Sequence, residues 1–469
     1  MTHEIQRVHF VGIGGIGMSG LAEFLHHQGH SVSGSDLKES VTTRRLAGLG
    51  IAVFAGHSTE HLGDARTVVA SSAIGADNPE IQEARNRGIP VVPRGQMLAD
   101  IMQGRDGIAV AGSHGKTTTT SLIDHVLQAA GLEPTSIIGG RLMGAGPEQA
   151  GTRMGSSPLL VAEADESDGS FLLLRPRIAV VTNIDPEHLD HYGDFSGLED
   201  AFTEFVNNLP TSGLAVLCLD HPGVRGILPR LGRRTLTYGF SPEADLVAQD
   251  LGGADPGVRF GVLGKGGLTG EVHLPMPGDH NVLNALASIA TALELGVPFE
   301  EVARSLADFR GVERRYQTLG SEAGVTVVDD YAHHPAELRA TLAAARSVHA
   351  GRIVSIFQPH RYTRTRDCME EFAAAFDESD VVILSEIFPA GDAPIPGVSS
   401  EVLARKVATH GHGDVRFMGG LEVIEKELPR DLRAGDLVLT LGAGDISKLG
   451  PRLLERLATG ATHSGEVAS

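Results

Sequence analysis

The sequence lacks tryptophan and has only two cysteines and six lysines among its 469 residues, and aromatic side chains make up 4% of it. Two thiols are too few for a disulfide framework or a cysteine-rich zinc site. No apolar run approaches the roughly 20 residues that a membrane span requires, and the first residues do not follow the pattern of a secretory leader. We therefore expect a cytoplasmic protein that does not insert into membranes.

Positive charge is also scarce. Lysine and arginine together number 39 against 59 aspartate and glutamate residues, which gives a formal net charge of −20. Because a phosphate backbone rewards a basic surface, we do not expect nucleic-acid binding. The hydrophobic share of 41% is that of a globular protein. At this length the chain is expected to form about three domains. We further expect it to act as a monomer or homodimer.

Short continuous apolar runs alternate with helical patterns along almost the whole chain, as in strands that are buried on both faces. This alternation predicts an α/β fold with parallel sheets. Polar segments near residue 105 and at 311–315 each precede a new series of predicted strands and helices. We place a domain boundary at each segment, which gives domains at 1–106, 107–312 and 313–469. Glycine-dense sequence between residues 231 and 277 predicts a small β-rich insertion in the middle domain.

The first motif places Gly12, Gly14 and Gly17 between a predicted strand and a predicted helix. In this G-x-G-x-x-G pattern, glycines permit a tight turn and let a diphosphate approach the helix N-terminus. Asp36, at the end of the next strand, is placed to meet a ribose hydroxyl. The pattern predicts nucleotide binding, without separating NAD from other diphosphate nucleotides. The alternative is that the glycines only allow close packing of strand and helix.

A second glycine-containing loop, Gly112–Thr120, also joins a predicted strand to a helix. Its spacing is G-x-x-G-K-T, and Val110 stands where the longer Walker A pattern has its first glycine. Backbone N–H groups of such a loop cradle phosphates, Lys116 is placed to pair with the β- and γ-phosphates, and the Thr117 hydroxyl to bind Mg²⁺. The loop predicts ATP binding, the alternative being a glycine turn capped by threonines. The residues assigned to the nucleotide are Gly112, Ser113, His114, Gly115, Lys116, Thr117 and Thr118.

Two polar loops follow strands of the predicted middle domain. Glu163 comes first after its strand, so we prefer it to Asp165 or Glu166 as a Mg²⁺ ligand. The loop at 182–192 is dense in histidine and acidic residues, and His188 is its candidate for binding a cation or positioning a phosphate. A solvated acidic loop and an ordinary surface histidine are the alternatives.

Further polar residues lie at helix and strand ends of the later chain. Asn281 and Asn284 open a helical pattern and are candidates for reading a base, with helix capping as the rival interpretation. Arg314 and Arg315 offer paired guanidiniums for a phosphate or carboxylate. Exposed surface charge is the alternative for this pair.

Two polar clusters, Asp329–Pro335 and Phe357–Thr365, each follow a predicted strand of the last third. Arg361 and Arg364 are three residues apart and are placed to grip a carboxylate together. An ordinary basic turn is the alternative.

Together these motifs resemble those of the Mur ligase family, from Val8 to about Asp445. The resemblance implies a Rossmann-like N-terminal domain for a UDP-sugar, a P-loop-type central ATPase domain, and a Rossmann-like C-terminal domain that contributes to amino-acid and nucleotide binding. The segments Gly12–Gly17, Ser71–Ile74 and Gln358–Arg364 are similar to those of the alanine-adding branch.

The same resemblance implies a function in peptidoglycan precursor synthesis. The enzyme would be an ATP- and Mg²⁺-dependent amide ligase that joins L-alanine to the lactyl carboxylate of UDP-N-acetylmuramate through an acyl phosphate. An NAD-dependent oxidoreductase, a protein that uses ATP only as a switch, and a family member that adds a peptide are the competing hypotheses. The first of these leaves the Gly-Lys-Thr loop unexplained.

The resemblance also implies residue roles. The catalytic residues are Lys116, Glu163, His188, Arg315 and Asp330, and the metal ligands are Thr117, Glu163 and His188. Beyond the glycine loop, the nucleotide contacts are Asn281, Asn284, Arg314, Asp330 and His333. The substrate contacts are Gly14, Gly15, Ile16, Gly17, Asp36, Ser71, Ser72, Tyr331, His334, His360, Arg361 and Arg364.

Overall fold

The computed structural model describes residues 7–71, 73–143, 151–254 and 256–464. Ser72, one of the expected substrate contacts, lies outside the described residues. The chain divides into two compact units. The first comprises Met1–Leu251, Phe260–His273 and Val282–Arg310, and the second comprises Gly252–Arg259, Leu274–Asn281 and Gly311–Ser469.

The first sheet has five parallel strands in the order β3-β2-β1-β4-β5. The strands are β1 (Arg7–Val11), β2 (Ser31–Asp36), β3 (Ala52–Ala55), β4 (Thr67–Ala70) and β5 (Val91–Pro93), and the helices are α1 (Ile16–His27), α2 (Val41–Gly48), α3 (Pro79–Asn86) and α4 (Arg94–Met102). Val8, Phe10 and Val11 of β1 are buried, as a central strand covered on both faces requires.

The second sheet has ten strands in the order β15-β14-β13-β12-β11-β10-β6-β9-β7-β8. Its strands are β6 (Asp106–Ala111), β7 (Thr135–Ile137), β8 (Thr152–Arg153), β9 (Leu159–Glu163), β10 (Ile178–Val181), β11 (Leu214–Cys218), β12 (Arg234–Gly239), β13 (Leu246–Gly253), β14 (Val258–Gly264) and β15 (Leu268–Leu274). Its helices are α5 (Lys116–Ala129), α6 (Leu189–Tyr192), α7 (Phe195–Asn207), α8 (Pro222–Ile227), α9 (Asp279–Glu294) and α10 (Phe299–Ala307). The glycine-dense stretch thus forms strands β12–β15, which continue this sheet beyond β11.

The third sheet has six strands in the order β16-β17-β21-β18-β19-β20 and is parallel except for the β16–β17 pair. The strands are β16 (Gln317–Glu322), β17 (Val325–Asp330), β18 (Ile353–Phe357), β19 (Val381–Ser385), β20 (Val415–Gly419) and β21 (Leu437–Leu441). The helices are α11 (Pro335–Val348), α12 (Tyr362–Asp367), α13 (Met369–Ala373), α14 (Ser400–His410), α15 (Leu421–Glu427) and α16 (Leu449–Ser464). The three largely parallel sheets confirm the predicted α/β class.

In the first compact unit, the first two sheets share one apolar core. The core combines Phe10 of β1 and Leu21 of α1 with Leu160 of β9 and with Phe171. This core fixes β1 and β6 within one packed body, so the glycine loops that follow these two strands are both held on a rigid scaffold. Among the described residues, no helix has both the length and the apolar character needed to cross a membrane.

Candidate active site

The glycine loop after β6 holds a largely buried cation. Lys116 opens α5, directly after Gly115 with its φ of 80°. Its ammonium donates to the carbonyl of Gly112 at 2.5 Å and to the carboxylate of Glu166 at 2.8 Å. Burial alone would lower the pKa of Lys116, but Glu166 raises it above its ordinary value, so the side chain stays charged. The N-terminus of α5 therefore combines this charge with backbone N–H groups that attract anions.

Residues 182–185, directly after β10, form hydrogen bonds to this loop. The amide of His114 donates to the side-chain oxygen of Asn183 at 2.7 Å, and the Thr182 hydroxyl donates to the His114 carbonyl at 2.6 Å. The Ser113 hydroxyl accepts from the amide of Asp185 at 2.8 Å. The loop is thus preorganised by its neighbouring strand end.

Glu163 and Thr117 lie together, although they are far apart in sequence. The Thr117 hydroxyl donates to the Glu163 carboxylate at 3.3 Å, and the amide of Gly139 donates to the same carboxylate at 2.7 Å. A hydroxyl and a carboxylate side by side at a strand end form a hard-oxygen pair of the type that Mg²⁺ prefers.

His188 belongs to a different group of potential cation ligands. One ligand atom each from Glu166, Glu187 and His188 lie within 4.8 Å of one another. Burial raises the pKa of Glu166 to about 7, although Lys116 acts in the opposite direction. Of the predicted metal ligands, Thr117 and Glu163 thus contact each other, and His188 lies close to Glu166 and Glu187.

The carboxylate of Asp185 lies beside two histidines of this region. His114 and His221 each approach its carboxylate to 3.3 Å. Although burial acts to raise it, hydrogen bonds from these histidines hold the pKa of Asp185 well below its usual range. The strand-end loop after β10 thus carries a firmly ionised acid beside the glycine loop.

The glycine loop after β1 contacts an acid, Asp36 at the end of β2, instead of holding a lysine. The amide of Gly14 donates to the carboxylate of Asp36 at 2.9 Å. A Cβ at Gly14 would lie 2.8 Å from that carboxylate oxygen. Gly15 caps α1, whose first residue is Ile16, and a Cβ at Gly17 would lie 3.1 Å from the Arg94 side chain. The predicted neighbours Gly14 and Asp36 are therefore in direct contact.

Ser71 and Arg94 complete the surroundings of this first loop. Ser71 follows β4. A Cβ added at Gly12 would lie 3.3 Å from the Cβ of Ser71. Arg94 donates to Asp165 in the acidic loop after β9 at 2.8 Å. An ion pair therefore links the start of α4 to the acidic loop that contains Glu166.

The two predicted asparagines of α9 occupy different environments. Asn284 accepts a hydrogen bond from the Thr119 hydroxyl at 3.0 Å, and a Cβ at Gly115 would lie 2.7 Å from its oxygen. The buried Asn281 donates to the Pro277 carbonyl at 2.8 Å, a local bond at the start of the helix. Asn284 thus lies against the glycine loop, whereas Asn281 bonds to the carbonyl of Pro277 at the start of its own helix.

Asp330 is the last residue of β17 in the second unit. Its carboxylate accepts from the amides of Tyr316 and Ala332, both at 2.7 Å. Burial raises the pKa of Asp330 to about 6, although Arg315 acts in the opposite direction. This carboxyl is therefore fixed in place and easily protonated.

Arg314 and Arg315 share one aromatic neighbour. Their guanidinium carbons lie 4.9 Å and 5.2 Å from the ring centre of Tyr331, within the range of a cation–π contact. Arg314 also donates to Asp329 at 3.0 Å. The pair is thus held by packing rather than left as mobile surface charge.

The expected amino-acid contacts gather at the ends of β17 and β18. The rings of His333 and His360 lie 5.9 Å apart, and Arg364 approaches His360 to 3.4 Å. Burial, helped by His333 and Arg364, lowers the pKa of His360 to about 4. His360 is therefore neutral at pH 7. His334 caps α11 in a reciprocal pair with Glu337.

Three predicted site residues have strained backbones. His188, Arg314 and Arg361 have φ angles of 55°, 60° and 70°. Non-glycine residues adopt this left-handed conformation at a cost of about 1–3 kcal/mol, and such residues cluster at functional sites. The strain supports a functional interpretation of all three positions.

Sequence reasoning missed Glu166, Glu187, Asp185 and Arg94. Glu166 and Glu187 stand in the two acidic loops that were singled out, but their position within each loop carries no signal of which acid faces the lysine. Arg94 directly follows a strand end, which is a weak signal that sequence reasoning did not use.

Comparison with known proteins identifies the class. Models of the Mur ligase family match residues 7–106 (catalytic domain), 110–292 (middle domain) and 314–444 (glutamate ligase domain). The chain therefore belongs to the Mur ligase family. The predicted family, ligase class and three-domain α/β architecture are thereby confirmed.

Individual members of the family show which ligases this chain is similar to. The chain is 52% identical to the UDP-N-acetylmuramate–L-alanine ligase of Sorangium cellulosum, over 95% of each protein, and 51% identical to that of Myxococcus xanthus, over 98% of this chain and 96% of the relative. Its structure is similar to that of the UDP-N-acetylmuramate–alanine ligase of Thermotoga maritima, at 31% identity and a TM-score of 0.82, over 97% and 99% of the two chains. A murein peptide ligase from Psychrobacter arcticus shows 25% identity and a TM-score of 0.72, over 97% and 99%.

Proposed function

We propose that this chain joins L-alanine to the lactyl carboxylate of UDP-N-acetylmuramate at the expense of ATP, in the cytoplasm and as a monomer or homodimer. The observation that carries the proposal is the largely buried ammonium of Lys116 in the glycine loop. The chain is also about half identical to ligases whose names contain that substrate and that amino acid. The relatives at 52% and 51% identity have L-alanine in their names, which favours alanine over a peptide as the amine.

The first step transfers a phosphoryl group. A carboxylate oxygen of the sugar substrate attacks the γ-phosphorus of ATP, which forms an acyl phosphate and releases ADP. Because two anions must approach each other, their repulsion has to be offset by positive charge. Lys116 and the N–H groups at the start of α5 supply that charge, in a loop whose geometry is set before substrate arrives.

Mg²⁺ would supply further charge neutralisation for the phosphates. Thr117 and Glu163 fit this ion, since their oxygens lie 3.3 Å apart at a strand end. Glu166, Glu187 and His188 form a second set of donors that also fits a hard cation. The firm ionisation of Asp185 keeps this region acidic at neutral pH.

In the second step, the amine nitrogen of alanine attacks the acyl carbon. Inorganic phosphate leaves, and the nitrogen loses a proton as the amide forms. Arg361 and Arg364 hold the alanine carboxylate, which leaves the amine free to react. His360, which is neutral at pH 7, lies beside this subsite together with the ring of His333.

The remaining predicted contacts complete the proposal. Residues 1–106 bind the UDP-sugar, 107–312 bind ATP, and 313–469 contribute to amino-acid and nucleotide binding. The UDP-sugar contacts are Gly14, Gly15, Ile16, Gly17, Asp36, Ser71 and Ser72. The nucleotide contacts outside the glycine loop are Asn281, Asn284, Arg314, Asp330 and His333, with Arg315 as a further catalytic cation and Tyr331 and His334 near the substrate.

The test is phosphate release by the purified chain with ATP, Mg²⁺ and UDP-N-acetylmuramate, across a panel of amino acids and the murein tripeptide. Release that depends on L-alanine supports the proposal. Release only with the tripeptide would retain the reaction type and overturn the amine. Absence of release with every amine, from folded protein, would overturn the ligase reaction itself.

Arg364→Ala tests the amine subsite separately. We expect the KM for alanine to rise about 10- to 100-fold, since a charge-assisted contact is lost, with the KM for ATP unchanged. Arg405→Ala, on the exposed face of α14, is the matched control. An unchanged KM for alanine in the Arg364 variant would move the amino-acid site elsewhere.

A further inference from the structure

A cavity of about 240 Å³ lies in the first compact unit, apart from both glycine loops. Glu23 and His27 of α1 and Asp124 of α5 line it, together with Ser136 of β7 and Arg153 of β8. Each helix begins at a glycine loop. At 1.5 Å per residue, Glu23 is about 10 Å and Asp124 about 12 Å along its helix from that loop.

Asp124 is the unusual residue of this cavity. It is completely buried, and neither of its carboxylate oxygens has a hydrogen-bond partner of normal geometry among the described residues. Arg153 approaches to 3.5 Å, but its own side chain is 38% exposed. Burial raises the pKa of Asp124 to about 6, although Arg153, Ser136 and Gln128 act in the opposite direction. Donor groups of Arg153, Ser136 and Gln128 stand near this carboxylate, but none makes a hydrogen bond of normal geometry to it. Because a buried carboxylate with such poor partners is costly, a well-placed donor would stabilise it.

Ser136 adds a second acceptor on the same wall. Its hydroxyl is buried and has no partner of normal geometry within the described ranges. Glu23, by contrast, is already paired with Arg45 at 2.6 Å. The groups of this cavity that need a partner are therefore one carboxylate and one hydroxyl.

The donor set selects the kind of ligand. A primary ammonium carries one positive charge and three N–H donors, which suits a carboxylate and a hydroxyl that both need donors. A hard metal ion requires six or more oxygen ligands or several retained waters. The potential metal-binding groups found among the described residues do not include Asp124.

We propose that this cavity binds a small primary amine in its ammonium form, with Asp124 as its charged partner and Ser136 as a second acceptor. Arg153 stands beside this position and would hold a carboxylate if the amine belongs to an amino acid. The site is independent of the proposed ligase reaction, because none of its residues belongs to either glycine loop or to the acidic loops.

The experiment is isothermal titration calorimetry of the full chain at pH 7.5 with propylamine and, separately, 4-aminobutyrate. We expect saturable binding of one ligand per chain. Binding of propylamine alone identifies a simple amine as the ligand. Tighter binding of 4-aminobutyrate identifies an amino acid, with its carboxylate on Arg153. Tetramethylammonium has the charge but no N–H donors, so we expect it not to bind.

Asp124→Asn keeps the size of the side chain and removes its charge. We expect it to weaken amine binding at least tenfold, and Ser136→Ala to weaken it a few-fold. Asp377→Asn, an exposed acid of the second unit, makes the same charge change and should bind like the wild type. Thermal melting of each variant verifies folding, and Asp124→Asn should not melt lower than wild type, since it removes an unsatisfied buried charge. No saturable binding to the wild type, or equal affinity in the Asp124 variant, would overturn the proposal.

Discussion

The two glycine loops of the first compact unit follow the same plan, yet they hold opposite charges. After β1, the amide of Gly14 donates to the carboxylate of Asp36 at 2.9 Å. After β6, the ammonium of Lys116 donates to the carbonyl of Gly112 and to Glu166. Both loops open a helix whose first N–H groups attract anions. The side chain at each loop therefore decides which ligand the shared backbone geometry accepts.

The difference has a chemical consequence. Under the proposed function, a hydroxyl that enters the first loop would donate to Asp36, whereas an additional phosphate there would be repelled by it. In the second loop, phosphate oxygens would compete with Glu166 for Lys116 and would gain a full positive charge as their partner. The first loop is thus suited to a ribose and a diphosphate, and the second to the β- and γ-phosphates of a triphosphate.

The largest effect is expected from Lys116→Ala. Loss of the ammonium that contacts both the loop backbone and Glu166 should reduce kcat about 100- to 1,000-fold, since one preorganised donor at the transferring group is worth about that much. Steady-state phosphate release measures the loss, and circular dichroism should show an unchanged fold.

Lys426→Ala is the control for that variant, since it removes an exposed lysine of the second unit. It should leave turnover at the wild-type value. Near-normal turnover in the Lys116 variant would break the comparison between the two loops, because the second loop would then work without its cation.

Glu166→Gln should have the next largest effect. Glu166 raises the pKa of Lys116 against the effect of burial. Without the carboxylate the pKa of Lys116 falls, so the ammonium is lost at lower pH than in the wild type. We expect a decrease of about tenfold or more in kcat at neutral pH and a shift of the alkaline limb of the pH–rate profile to lower pH.

A profile of kcat against pH for Glu166→Gln, with Glu204→Gln as a control on the exposed face of α7, tests this. An alkaline limb at the same pH in both variants would mean that Glu166 does not maintain the charge of Lys116.

A glycine-to-alanine substitution in each loop tests whether the two loops bind different ligands. A Cβ at Gly14 would lie 2.8 Å from Asp36, and a Cβ at Gly115, where φ is 80°, would lie 2.7 Å from Asn284. Gly14→Ala should raise the KM for the UDP-sugar about tenfold and leave the KM for ATP unchanged. Gly115→Ala should do the reverse, with added backbone strain of about 1–2 kcal/mol.

Initial rates measured against each substrate in turn check this pair. If both variants raise the same KM, the two loops serve one ligand and the division of labour is wrong.

The sequence predicted the backbone elements of this protein better than it predicted the contacts of individual side chains. Continuous apolar runs such as Ile178–Val181 predicted the buried parallel strands, and the glycines predicted the two loops, because both signals are local. The contact between Thr117 and Glu163 could be anticipated too, since the carboxyl ends of adjacent parallel strands meet at one edge.

The contacts of individual acids could not be predicted in this way. Glu163, Asp165 and Glu166 are almost consecutive, but Glu166 contacts Lys116, Glu163 contacts Thr117, and Asp165 contacts Arg94. These choices depend on how a short loop turns after β9 and on which partner is already buried. The positive φ angles of His188 and Arg361 also left no trace in residue type, because the left-handed conformation usually favours glycine or asparagine.

Asp36→Asn should give the smallest effect and the sharpest test of the first loop. Asparagine still accepts from the amide of Gly14, so the loop geometry and the KM for the UDP-sugar should change less than about fivefold. The lost negative charge removes the repulsion of an additional phosphate, and one screened charge contact of this kind is worth about 1 kcal/mol. UTP should therefore inhibit the variant a few-fold more strongly than the wild type, while inhibition by UDP changes little. The ratio of the two inhibition constants, with Asp377→Asn as the matched control, measures this preference directly. An unchanged ratio would show that Asp36 orders the loop without selecting its ligand, and the charge difference between the two loops would then have a structural rather than a selective role.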